Sequence, residues 1–141
     1  DVANPGSHRW MSDAAEGFPA WLELRWSAAV EVARIQLVFD TGLHRVLTLS
    51  HSDAYVDRME YGCAQPETVR TYHLEAEVSG QWQSLAHVTD NYQRLNIHDF
   101  DSPPTIDALR LTAEATHGLD HARLCEIRVC EQIDDWSAGK R

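Results

Sequence analysis

The sequence predicts an all-β fold, two antiparallel sheets stacked as a jelly-roll-like sandwich of about eight strands. Three observations predict it. Apolar residues recur with a period of two in segment after segment, which puts alternate side chains on opposite faces of a strand. Gly, Pro, Asp and Asn punctuate those segments and supply the turns between them. The helix-friendly stretches, residues 13–16 and 27–31, are too short to stand alone, because nucleating a helix costs more than so few residues return.

Taken in order, residues 21–26 alternate strictly, so Leu22, Leu24 and Trp26 should face a core while Trp21, Glu23 and Arg25 face out. Residues 32–40 set Val32, Arg34, Gln36 and Val38 against Ala33, Ile35, Leu37 and Phe39, and Thr41-Gly42 ends that strand. Residues 45–50 alternate again, Val46 and Thr48 against Leu47 and Leu49. From His51 to Glu67 no period persists. A loop of that length inside a compact domain marks a place for specificity or partner contact. Residues 69–78 and 81–88 form a hairpin across Ser79-Gly80. Residues 94–100, 108–116 and 122–131 complete the set, separated by Asp101-Ser102-Pro103-Pro104 and by Thr116-His117-Gly118. Trp26 and Trp82 are expected in the core and Trp10 on a loop, while Trp136 belongs to a tail, residues 133–141, that follows a domain of residues 1–132.

The chain has 141 residues, 43% hydrophobic and 24% charged, which suits one globular core. Its formal charge of −10 repels phosphate backbones and anionic lipid, so neither nucleic acid nor a membrane surface is an expected partner. No apolar run approaches the roughly 20 residues that span a bilayer, so membrane insertion is not expected. The start, Asp1-Val2-Ala3-Asn4-Pro5-Gly6, lacks the regions of a signal peptide, and the chain reads as a piece tethered to other domains of a larger protein. Cys63, Cys125 and Cys130 match no zinc or redox spacing. Cys125 and Cys130 lie five apart on an expected strand and so point to opposite faces, which leaves a bridge from Cys63 to one of them as the open alternative. A nucleophile elbow, a paired-carboxylate signature and a Cys/His pair in local context are all missing, so catalysis is not expected.

The order of motifs resembles the discoidin-like or galactose-binding-like domains, also called coagulation factor 5/8 type C domains, which include several carbohydrate-binding modules. The likeness runs over nearly the whole chain. It rests on Trp10-Met11-Ser12, Trp21-Leu22-Glu23-Leu24, residues 32–37, Tyr72-His73-Leu74-Glu75-Ala76, the Trp82 strand and residues 122–129. Phe39-Asp40-Thr41, Pro66-Glu67-Thr68-Val69 and Asn91-Tyr92-Gln93-Arg94 are similar to the C-terminal sandwich of bacterial FAD-dependent oxidoreductases. The chain has no Gly-x-Gly-x-x-Gly turn of its own to hold a dinucleotide. The resemblance implies a glycan ligand, an oligo- or polysaccharide held by loops at one end of the sandwich, or else docking on a catalytic partner such as such an oxidoreductase. Polysaccharide binding would favour an extracellular or periplasmic setting.

It also implies a structural calcium where the N-terminal loop meets the last strand, held by backbone carbonyls, an acidic residue of that loop and a strand Glu, whose position Glu126 takes. Here the loop's usual Asp-Gly is replaced by Asn4-Pro5-Gly6. The competing reading has Glu126 pairing with Arg9 or accepting from backbone amides. No other cofactor is expected.

Sugar recognition needs an aromatic face for the C–H side of a ring and planar hydrogen-bonding groups for its hydroxyls. Asn91, Tyr92 and Arg94 supply those types within four residues; the plainer reading makes Asn91 a turn residue, Tyr92 an edge-packing ring and Arg94 a partner for an acid. Asp40 and His44 flank the loop that leaves the second strand, where His44 could donate to a hydroxyl, against ordinary turn chemistry for Asp40-Thr41-Gly42 and a solvated His. His117, Asp120 and His121 match no zinc spacing, and a short loop seldom aims three ligands at one point.

Overall fold

A computed structural model describes residues 9–42 and 64–132. Among them eight strands run in order: β1 (Trp10–Met11), β2 (Ala20–Glu31), β3 (Arg34–Phe39), β4 (Val69–Val78), β5 (Gln81–Val88), β6 (Leu95–Asp99), β7 (Thr105–Thr116) and β8 (Arg123–Cys130). They form two antiparallel four-stranded sheets, β1-β8-β3-β6 and β2-β7-β4-β5. The all-β sandwich expected from the alternating pattern is the fold observed.

The alternation is what builds the core. Ile35, Leu37 and Phe39 of β3 are fully buried against Tyr72 and Leu74 of β4 and Leu109 and Leu111 of β7, and truncating one such large side chain would cost about 3–5 kcal/mol. Leu22 and Trp26 pack on this cluster from β2, whereas Trp21 on the opposite face is 59% exposed. The hairpin turn fell where Ser79-Gly80 marked it, with φ of 52° and 77°, the left-handed pair that matches strand twist.

Several elements differ from expectation. β2 runs straight through the helix-friendly residues 27–31, because its ladder with β7 resumes at Val30 and Glu31 after a register shift beyond Arg25; tertiary pairing outweighs local propensity there. Trp10 lies on β1, half-buried against the core, and Trp82 stands on the outer face of its sheet rather than in the core, with the Arg110 guanidinium 4.0 Å from its ring centre. Val32 is fully buried although it shares a parity with the outward residues; it precedes β3, and its N–H is given to the Pro104 carbonyl. Both Cys125 and Cys130 are free thiols. The expected strand at 45–50, most of the 51–67 loop, Cys63 and the tail 133–141 lie outside the described residues.

Candidate functional site

The site is built where strand ends and loops of both sheets converge. On the first sheet, Phe39 pairs with Leu124, Leu124 with Trp10, and the Phe39 N–H donates to the Arg94 carbonyl at 2.8 Å. Asp40, Arg123, Arg9 and Arg94 therefore gather at one end of that sheet. On the second sheet, Val69 at the start of β4 faces Thr116 at the end of β7. The segment 89–94 crosses from one sheet to the other at this same end.

Asn91 clamps that crossing. Its backbone N–H donates to the Arg70 carbonyl at 2.8 Å, its Nδ2 donates to the Val69 carbonyl at 2.8 Å, and its Oδ1 accepts the Gln93 N–H at 3.1 Å. The Asn91 carbonyl in turn accepts from His117 Nε2 at 2.6 Å. With the side chain buried and its polar atoms engaged in this way, Asn91 fixes the loop. Just before it, Asp90 adopts φ of 62°, a left-handed conformation that Asp tolerates better than most residues. One residue after the clamp, Tyr92 stands 68% exposed.

The neighbouring loops are equally closed. The Leu119 N–H donates to the Pro66 carbonyl at 3.1 Å and the His117 N–H to the Thr68 carbonyl at 3.1 Å, while the Thr116 hydroxyl donates to the Leu119 carbonyl. Position 118 admits no side chain without movement, since a Cβ there would come within 2.7 Å of the Pro66 Cβ.

Asp40 is buried, and its carboxylate takes Arg9 at 2.9 Å and Arg123 at 3.5 Å, with Oδ1 also accepting the Gly42 N–H at 2.9 Å. Arg123 reaches His121 at 2.9 Å, and His121 reaches Asp120 at 2.8 Å. That last bond holds the Asp120 carboxyl below the usual carboxylate range. Arg94 donates to the Phe39 carbonyl at 3.3 Å rather than bridging to an acid.

Of the expected contacts, the fold thus brings Tyr92, Asn91, Arg94 and Asp40 to one end; Tyr92 is the exposed one of these four. His44 lies outside the described residues. Glu126 lies on β8 opposite Val38, next in register to the Phe39–Leu124 pair, where it accepts from Arg128 at 2.7 and 3.1 Å. The pairing of Glu126 with Arg9 weighed from the sequence is not the one formed, since Arg9 is drawn to the buried charge of Asp40. The parts that sequence reasoning missed are the braces, His117 on Asn91 and Arg9 with Arg123 on Asp40, which join residues 26 to 83 apart and carry no local signal.

No family model matches the chain, and no curated protein matches it. Among solved structures, the chain is similar to the family 32 carbohydrate-binding module of Clostridium perfringens NanJ in complex with galactose, at 18% identity and a TM-score of 0.63, over 86% of this chain and 74% of that one. The family 32 module of Streptococcus pneumoniae EndoD aligns at 16% identity and 0.65, over 88% and 75%. Chitosan-binding module 1, derived from a chitosanase/glucanase of Paenibacillus sp. IK-5, aligns at 15% identity and 0.59, over 91% and 80%. The class this defines is one of fold, the discoidin-like, galactose-binding-like sandwich. At these identities the likeness shows that fold alone.

Proposed function

We propose that the domain is a non-catalytic carbohydrate-binding module that holds a glycan at the loop end, with the Tyr92 ring as the stacking platform. The observation that carries this is the exposed Tyr92 on a loop clamped by Asn91. An ordered domain that leaves a large ring in water on a braced loop offers a preorganised face to the C–H side of a sugar. Arg94 beside it is the planar donor, Asn91 and the Phe39 N–H hold the backbone from which both project, Asp40 braces the neighbouring strand end through Arg9 and Arg123, and His44 is retained as a further donor. The solved relatives described as bound to galactose or as chitosan-binding support the ligand class. The one derived from a chitosanase/glucanase supports a module tethered to a larger protein.

The structural calcium implied by the resemblance stays an optional part of the proposal, since such an ion takes about six to eight oxygens, backbone carbonyls among them, and the N-terminal loop that would supply them, residues 4–6, lies outside the described residues. Its strand member, Glu126, accepts from Arg128.

The test is a glycan array of the domain against Tyr92→Ala. One stacked ring and a few hydrogen bonds exchanged with water give a Kd of roughly millimolar to micromolar. The variant should lose most detectable binding while its stability moves by about 1 kcal/mol or less. Retained binding, or an unfolded variant, would place the site on another loop.

The alternative, docking on a catalytic partner, has its own observation. Leu95 and Ile97 on the edge strand β6 are 49% and 46% exposed. Replacing both with Ser should leave glycan binding unchanged and abolish association with a partner domain if that reading holds.

A further inference from the structure

The outer face of the β2-β7-β4-β5 sheet carries features that its role in the sandwich does not require. Register sets Trp21, Thr112 and His73 in one row across β2, β7 and β4, Glu23, Arg110 and Glu75 in the next, and Arg25, Ala108 and Glu77 in a third, with Trp82 next to Glu77. The Arg110 guanidinium lies 4.0 Å from the Trp82 ring centre and 5.2 Å from that of Trp21, so the two indoles flank one planar cation. Trp21 nonetheless keeps 59% of its surface in water. A ring of this size left open near the start of an ordered strand forgoes much of the burial it could have had.

The polar groups around it are paired and locally balanced. Glu23 accepts from Arg110 at 3.0 Å and from Arg25 at 3.1 Å, and Arg25 also reaches Glu77 at 2.6 Å. Two carboxylates thus meet two guanidiniums, in a chain whose net charge is −10. Next to them His73 contacts Ser84 Oγ at 2.7 Å and Glu75 Oε1 at 2.9 Å. The face offers donors and acceptors side by side and no unbalanced positive charge.

That combination discriminates among ligands. A phosphate or uronate would need surplus cations, which the pairing removes. A protein interface is depleted of charged residues at its core, whereas this indole is ringed by them. A polyhydroxylated, uncharged surface suits it, with one face of a sugar on Trp21 and its hydroxyls exchanging bonds with the fixed carboxylates and guanidiniums. We propose that this sheet face is a second, shallow binding platform for a neutral saccharide chain, centred on Trp21 with Arg110, Glu23 and Arg25. Trp21 pairs beside Thr112, four residues from the Thr116 strand end, about 13 Å along a strand. The platform is therefore separate from the loop end and does not require the Tyr92 reading to hold.

Affinity electrophoresis in native gels cast with galactomannan, xyloglucan or hydroxyethylcellulose, with polygalacturonate as the anionic control, tests this. The probes are the intact domain, Trp21→Ala, Trp21→Tyr and Tyr92→Ala. Trp21→Ala should weaken retardation by at least one neutral polymer about fivefold, and Trp21→Tyr should restore most of it. In the unsubstituted domain, that polymer should slow oxidation of Trp21 by N-bromosuccinimide, mapped by mass spectrometry, a readout that no folding defect can mimic. Retardation and oxidation that ignore Trp21 overturn the platform, and a loss confined to Tyr92→Ala then leaves the loop site standing. Retardation by polygalacturonate only, or by no polymer, overturns it as well.

Discussion

Tyr92 and Trp21 both stand clear of the sandwich, yet different physics holds each in place. Tyr92 projects from a loop end whose braces are buried: Asn91 on its own loop and Asp40 at the neighbouring end of β3 are 5% and 2% exposed, and each has several partners. Trp21 projects from a strand whose ladder fixes the backbone already, and the Arg25 ion pairs on its face are open to water, with Arg25 52% exposed. A buried polar clamp is costly to break because it leaves desolvated groups without partners, whereas an exposed pair is replaced by water. The loop end should therefore be sensitive to substitution where the sheet face is tolerant.

The largest expected effect is at Asp40. Replacement by Ala leaves Arg9 and Arg123, each under a fifth exposed, facing each other without their anion, for a loss of about 3 kcal/mol in urea unfolding. A loss below about 1 kcal/mol would break the comparison on its loop side. Asn91→Ala comes next at about 2 kcal/mol, since the buried Val69 carbonyl and the part-buried Gln93 N–H lose their partner. The same variant should also loosen the segment that carries Tyr92, which hydrogen exchange at the Gln93 amide would read as a loss of protection.

A smaller effect belongs to the core that both regions share. The Tyr72 hydroxyl meets His98 Nε2 across the two sheets at 2.8 Å. Burial pushes the Tyr72 phenol up and the His98 imidazole down, the second shift opposed by Asp99. Because His98 is held neutral more strongly in the folded chain than in the unfolded one, its contribution is complete above the ordinary imidazole value of 6.5 and is lost as pH falls through the depressed value. Unfolding free energy should decline from pH 7 towards pH 5, and His98→Gln should flatten that slope; an unchanged slope would remove His98 from the account.

Least of all should move on the sheet face. Glu77→Gln breaks one bond to Arg25, whose other partner Glu23 remains, and the urea midpoint should shift within experimental error and be insensitive to added salt. A large shift would mean that the face is structural rather than available for binding.

Alternation within single segments set the inward faces of β2 and β3. The period-two runs at 21–26 and 32–39 set Leu22, Trp26, Ile35, Leu37 and Phe39 toward the core, and Ser79-Gly80 gave its turn, because alternation and left-handed turns are properties of neighbours in the chain. The exposed Tyr92 was legible as a candidate ring, but its support was not. Tertiary structure decided that Asn91 is gripped by Val69 and His117, that Asp40 draws two arginines, and that Trp82 faces out to stack with Arg110 rather than into the core. It also decided that β2 continues through residues 27–31 by pairing with β7. Each of these depends on partners far away in sequence, and whether a polar or aromatic side chain is a contact or a brace depends on which partner the packed sheets bring within hydrogen-bonding distance.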